Sequence, residues 1–204
     1  MSSDGFQAVA RLDSDLAAVL ERLGTPPDRS RPTGFASLLQ IINQQQLSLA
    51  SASAIWQRLE AATHPVRPDR VLALTQEDLR ALGLSRNKAL FAHALAEAVQ
   101  NGTLDLDGLS DLEDEAAIEA LVAVKGIGRW TAEIYLITAL GRPDIMPAAD
   151  IALMEALRLI RGWESRPDAA TLRQAAEAWR PWRTYASRLL WHHYRAHKGR
   201  EAGL

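Results

Sequence analysis

The fold turns on one stretch, VKGIGRWTAEIYL, running from Val124 to Leu136. It sets two glycines, Gly126 and Gly128, inside an otherwise helical and apolar pattern, with Arg129 and Trp130 directly behind. Glycine costs about 1 kcal/mol against alanine in a helix interior, so the pair marks a break between two helices. Glycine also takes positive φ without a Cβ clash and lets another backbone come close. Ile127 between them is placed to pin the turn to the core. The helix that starts after Gly128 begins with N–H groups that lack partners and carry partial positive charge. Such an end attracts anions, a DNA phosphate among them, and Arg129 adds a charge at the same spot. A bare Gly-x-Gly between helices is, however, more simply an ordinary interhelix turn.

Outward from this hairpin the chain reads as helix after helix. Runs of alternating β-branched residues, the mark of strands, are missing. Helices are expected near Phe6–Leu23 and Phe35–Ile42, and from Ser48 as a cap to about Ala62. Thr75 and Asp78 form a capping pattern, Ser85 opens the helix that follows, and Ser110 with Glu113 suggests a capping box for a helix to about Val124. Arg129–Leu140 is helical, and Asp150 is positioned to cap a helix whose Leu153, Ala156, Leu157 and Ile160 share one face. Two last helices are expected over Thr171–Trp179 and from Pro181, where proline suits a first turn. The fold class is all-α, with about ten short helices in two lobes and a cleft between them. The expected lobes are residues 35–145, carrying the hairpin at 124–128, and residues 1–34 with 146–204.

The chain has 204 residues, enough for one domain or two small lobes sharing a core. It is 48% hydrophobic and 24% charged, an ordinary globular mix, and no apolar run reaches the roughly 18 residues of a membrane span. The first residues, MSSDGFQAVARLDSD, lack the basic and apolar regions of a signal peptide, so a cytoplasmic, nucleoid-associated protein without membrane contact is expected. The absence of cysteine removes disulfides, thiolate metal sites and a cysteine nucleophile. The net charge of −2 hides a polarised chain: Arg158 to Arg200 holds ten bases and three acids, whereas Glu97 to Glu119 holds eight acids and no base. One face is therefore suited to a polyanion, although a basic run also serves as a plain solvated helix face.

GIGRWTA, followed about twenty residues later by MPAADIAL, resembles the helix-hairpin-helix, Pro-containing loop and aspartate signature of the base-excision DNA glycosylases. IINQQQLSLASASAIWQRL is similar to the helix and wedge loop near the start of that domain, and GLSRNKALFAHALA to its middle. WRPWRTYASRLLWHHYR resembles the C-terminal helix of the bacterial 3-methyladenine DNA glycosylase II group. The likeness covers about residues 33 to 197, and each motif alone would be weak.

The resemblance implies a monofunctional glycosylase that flips alkylated purines such as 3-methyladenine from duplex DNA and excises them. Asp150 matches the family's aspartate, whose carboxylate stabilises the sugar cation and orients water; from position alone it is simply a helix cap. Lyase-type relatives carry a Schiff-base lysine two residues after the second hairpin glycine. Here that residue is Trp130, which cannot be that nucleophile. Trp130 and Trp191 are implied to wall the base pocket, where an indole face attracts a cationic purine, with Ile134 and Tyr135 one turn beyond Trp130. Trp56, Trp163 and Trp179 are expected in the core, and Trp182 is left between packing and cleft. The DNA-binding set is Lys125, which stands where the pattern usually has proline, with Gly126, Gly128, Arg129 and Thr131. Gln45, Gln46 and Leu47 lie in the wedge loop, and Gln46 or Leu47 is the candidate to fill the vacated stack. No cofactor is expected beyond a structural Na+ or K+ at the carbonyls of Val122, Val124 and Ile127. The histidines show no metal spacing, and the chain is expected to act as a monomer. The competing readings are a non-catalytic hairpin module that binds distorted DNA, a glycosylase for deaminated or oxidised bases, and a helical protein-interaction domain.

Overall fold

Side chains that bond the backbone next to them start six of the twelve α-helices in the computed structural model, which describes residues 3–199. Ser48 Oγ accepts from the Ser51 N–H at 3.2 Å and opens α4 (Leu49–Thr63). Thr75 and Asp78 bond reciprocally at 2.8 and 3.1 Å, a complete capping box, and open α6 (Gln76–Ala81). Ser85 caps α7 (Arg86–Gln100) and Asp168 caps α11 (Ala169–Ala176) in the same way. The remaining helices are α1 (Ser3–Leu12), α2 (Ser14–Leu23), α3 (Phe35–Gln44), α5 (Pro68–Leu72), α8 (Asp114–Val122), α9 (Arg129–Thr138), α10 (Ile151–Arg161) and α12 (Arg183–Lys198). Two 3-10 turns, Gly108–Asp111 and Glu177–Trp179, complete an architecture with no strand among the described residues. The all-α expectation therefore holds, with twelve α-helices where about ten were read.

Four local expectations are corrected. Phe6–Leu23 is two helices, because Asp13 breaks the run and its Oδ1 accepts the N–H groups of Asp15 and Leu16 as the cap of α2. The Ser110–Glu113 box does not form: Ser110 sits in the first 3-10 turn, and Glu113 is the cap residue of α8 with no side-chain capping bond. The helix expected over Thr171–Trp179 begins two residues earlier and closes as a 3-10 turn, and α12 starts at Arg183, not at Pro181. Pro68 opens the short helix α5 at its first position, where a missing N–H costs nothing.

Cα packing groups the chain into two units. One holds the residues up to Ser30 and those from Gly141 onward, and the other holds Arg31–Leu140. In the second unit α3 is apolar nearly all round. Phe35, Leu38, Leu39, Ile41 and Ile42 are buried against α4, α7 and α9, each such side chain contributing about 1.5–3 kcal/mol. Alanines 89, 92 and 96 on α7 let it lie close to α3 and α5. In the first unit α12 is buried from Thr184 to Trp191 and packs on α1, α2 and α10. Trp179 is fully buried there, and its Nε1 donates to Asp13 Oδ2 at 2.8 Å. That oxygen also accepts from Arg161 at 2.5 Å. Trp163, by contrast, is 36% exposed and Trp56 is half-buried, so neither is the core residue expected. Trp182 packs edge-on against Tyr185, with ring centroids 5.6 Å apart.

Candidate functional site

The two hairpin glycines do different work. Gly126 has φ +95°, and a Cβ built there would stand 2.1 Å from Cγ of Phe91 on α7. Both the backbone and the close approach demand glycine. Gly128 has φ −87°, which any residue adopts, and a Cβ there would meet nothing within 4 Å. It is the cap residue of α9 and is exposed. Ile127 is buried, as expected, and Lys125 is exposed.

Arg129 does not extend from this end as a spare cation. Its Nη1 and Nη2 donate to Glu115 at 2.5 and 2.8 Å, and its Nε to the buried Glu133 at 3.0 Å. The Glu115 hydrogen bonds hold its pKa well above the ordinary value, against burial, with Glu133 adding to the effect. Through these bonds Arg129 staples α8 to α9. Thr131 is likewise buried, and Gln45 Nε2 donates to its Oγ1 at 2.6 Å. These two expected DNA contacts are spent on each other. Ile134 and Tyr135 are both buried, and the Gly34 N–H donates to the Tyr135 hydroxyl at 2.8 Å while burial raises the phenol pKa. Trp130 is half-buried in the first turn of α9.

The wedge loop is more ordered than its triple glutamine suggests. Gln46 holds φ +56°, the single positive-φ non-glycine residue among those described, and is exposed. Leu47 is 39% exposed. Lys88 on α7 donates to the carbonyls of Asn43 at 2.7 Å and Gln45 at 2.6 Å, and Asn43 Nδ2 donates to the Ala52 carbonyl at 2.8 Å. Sequence reasoning missed Lys88. Its signal is faint: one lysine whose neighbours at 89 and 92 face the core.

In the other unit Asp150 caps α10. Oδ1 takes both capping bonds, from Ala152 N–H at 2.8 Å and Leu153 N–H at 3.2 Å. The residue is partly exposed. The Pro-containing segment before it is braced on the start of α12. Thr184 Oγ1 accepts from the Ile145 N–H at 3.0 Å and donates to the Arg142 carbonyl at 2.7 Å. Arg183 grips Asp144 through both its Nε and Nη2 at 2.8 and 3.0 Å, and Arg180 adds a third bond at 2.8 Å. Met146, Pro147 and Ala148 are buried.

Trp191, two turns along α12, is 5% exposed and lines a hollow of about 30 Å³ with Pro26, Pro27, Arg29, Arg188, His192 and Arg195. Three arginines share this hollow with the indole, and of these Arg188 stands over the Phe6 ring, 5.6 Å from its centroid. Among the described residues no group of His, Asp or Glu is arranged for a metal, and no helix is long and apolar enough to cross a membrane.

The model of the HhH-GPD superfamily of base excision DNA repair proteins matches residues 39–181. The chain belongs to this superfamily. DNA-3-methyladenine glycosylase 1 of Schizosaccharomyces pombe is 30% identical over 187 residues, 88% of this chain and 82% of that protein. Bacillus subtilis YfjP is 29% identical over 187 residues, and the chain spans 65% of its length. Among solved structures, the S. pombe 3-methyladenine DNA glycosylase in complex with abasic DNA superposes with a TM-score of 0.86 at 28% identity, over 96% of this chain and 97% of that one. The DNA-3-methyladenine glycosidase of Bacillus halodurans gives 0.85 at 31% identity, over 97% and 92%. The 8-oxoguanine glycosylase/lyase of Clostridium acetobutylicum shares the fold, with a TM-score of 0.74 at 14% identity.

Proposed function

We propose that the chain is a monofunctional DNA glycosylase that flips alkylated purines such as 3-methyladenine out of the duplex and hydrolyses the N-glycosidic bond, leaving an abasic site. What carries the reading is Asp150. It stands at the family's aspartate position, on a braced segment, and meets the helix end through a single oxygen. As the base departs with the bonding pair, positive charge grows at C1′. An ionised carboxylate beside C1′ stabilises that charge. It also takes a proton from water, whose oxygen then bonds C1′. An alkylated purine cation leaves as a neutral base, so no acid is needed to protonate it.

The relatives named for 3-methyladenine support this substrate class. Trp130 supports hydrolysis without a lyase step, since an indole cannot form the Schiff base. Its face suits stacking on a cationic base, while Trp191 serves as a wall. The open end of α9 at Gly128 suits a phosphate of duplex DNA, with Lys125 as the nearby cation. Gln46 and Leu47 would fill the space the base leaves. Na+ or K+ at the carbonyls of Val122, Val124 and Ile127 would stiffen the hairpin; Val124 O already accepts the Ile127 N–H at 3.1 Å and keeps a second lone pair for it. The protein acts as a cytoplasmic monomer on nucleoid DNA.

The test is Asp150→Asn on duplex DNA carrying 3-methyladenine or 7-methylguanine, with abasic sites cleaved by alkali. Asparagine caps a helix nearly as well as aspartate, so stability should move little while excision falls by about 10²-fold or more. Excision unchanged in the variant would take Asp150 out of the reaction, and excision absent from the wild type would leave a binding module.

A further inference from the structure

We propose that Lys88 is a positioning residue for base flipping: by bonding the carbonyls of Asn43 and Gln45 it locks the turn between α3 and α4 and presents Gln46 and Leu47 as a preformed wedge. The inference rests on the reading above that residues 46 and 47 enter the duplex.

The last carbonyls of a helix have no partners within it. At the end of α3 they are met by an ammonium from another helix, at 2.7 and 2.6 Å. Burial lowers the pKa of this lysine, a cost that a purely decorative lysine on a helix face would not carry. Charge-assisted bonds of this length are among the stronger ones a side chain makes. Two neighbours complete the clamp: Asn43 Nδ2 ties the turn to the start of α4 through Ala52, and Gln45 Nε2 ties it to Thr131 on α9. Residues 43 and 45 are thus fixed, and the very next residue takes the left-handed φ of +56°. A non-glycine residue persists there only where its surroundings over-determine it. The strain sits at the tip, where Leu47 and Leu49 stand 39% and 40% exposed. A tip ordered before binding avoids the entropy of ordering it on the DNA. Lys88 itself is part-buried and touches backbone carbonyls, so its action on DNA is through the turn.

The experiment is a double-variant cycle of Lys88→Met and Leu47→Ala. One duplex carries a single 7-methylguanine paired with cytosine, with 2-aminopurine beside it as a reporter of unstacking. A second places the lesion opposite an abasic site, where little unpairing remains to be done. Lys88→Met should lower both the 2-aminopurine signal and single-turnover excision on the paired duplex by about tenfold, and change the second substrate by less than about twofold. Lys88→Arg should recover much of the loss, and Lys88→Gln serves if the Met variant is not helical by circular dichroism. In the Leu47→Ala background Lys88→Met should cost less than about twofold more, because both act on one step. Equal losses on the two substrates, or multiplying losses in the double variant, would overturn the clamp. A wild type that opens the duplex without cutting would refute the proposed activity, and the clamp would then stand or fall on the 2-aminopurine signal. A wild type that opens neither duplex would overturn both.

Discussion

Replacing Gly126 by alanine separates the two hairpin glycines by energy. The new Cβ would lie 2.1, 2.4 and 2.6 Å from three atoms of the Phe91 side chain, on a backbone with φ +95°. Carbon atoms pack at about 3.5–4.0 Å, so the ring has to retreat by more than about 1 Å. Overpacking of this kind costs about 1–3 kcal/mol and the unfavourable φ about 1–3 more. The sum is about 2–6 kcal/mol, and at roughly 2–4 °C per kcal/mol the melting temperature should drop by about 5–20 °C. At Gly128 the same substitution meets no atom within 4 Å and an ordinary φ. Its stability should stay within about 1 kcal/mol, the loss of a glycine cap set against a stiffer unfolded chain. Its methyl group would, however, stand on the cap residue itself, beside the N–H groups that open α9. If a phosphate docks there, affinity for duplex DNA should fall by about tenfold. Urea melts and fluorescence anisotropy on the two variants read both quantities. A Gly126→Ala protein within about 0.5 kcal/mol of wild type, below any overpacking cost, would refute the account of the turn. Unchanged DNA affinity in Gly128→Ala would refute the phosphate site.

Arg129→Ala should cost about 1 kcal/mol, since the guanidinium is half exposed, and leave the salt dependence of DNA binding unaltered; a slope lower by about one ion would return Arg129 to the phosphates. Asp13→Asn keeps the α2 cap but removes the charge facing Arg161, for a loss of about 1–3 kcal/mol in thermal or urea unfolding; a neutral outcome would make that network incidental. Burial, then the charges of Arg22 and His197, lowers the His193 pKa, and its Nδ1 accepts from Arg22 at 2.8 Å. The unfolded chain then takes up a proton that the folded one resists. Stability is full above the unfolded value of about 6.5 and is lost as pH falls from there toward the lowered folded pKa. Melting temperature should therefore fall between about pH 7.5 and 5.5, and His193→Gln should flatten the drop; an equal drop in the variant would place the effect elsewhere.

The sequence made the caps legible because capping is local. Ser48, Thr75 with Asp78, Ser85 and Asp150 each bond a backbone N–H two or three residues away, and a short window contains both partners. Asp13 caps α2 just as locally, but the run around it is apolar enough to read as one helix; what no short window holds is its pairing with Trp179 and Arg161, 166 and 148 residues downstream. The candidate site divides along the same line. Gly126, Gly128 and Asp150 stood out by spacing and resemblance. The pairing of Arg129 was hidden because two of its three bonds go to Glu115 on the preceding helix, 14 residues back. The bond between Gln45 and Thr131 was hidden because it spans 86 residues. A polar residue advertises chemistry in a sequence until its partner is known.

The bracing of residues 142–148 on the first turn of α12 has a mechanical consequence. Asp150 and Trp191 are carried by the same beam, one through a short tethered arm and the other directly. A fault at Thr184 or Asp144 would loosen the arm that leads to Asp150 while leaving both side chains chemically intact.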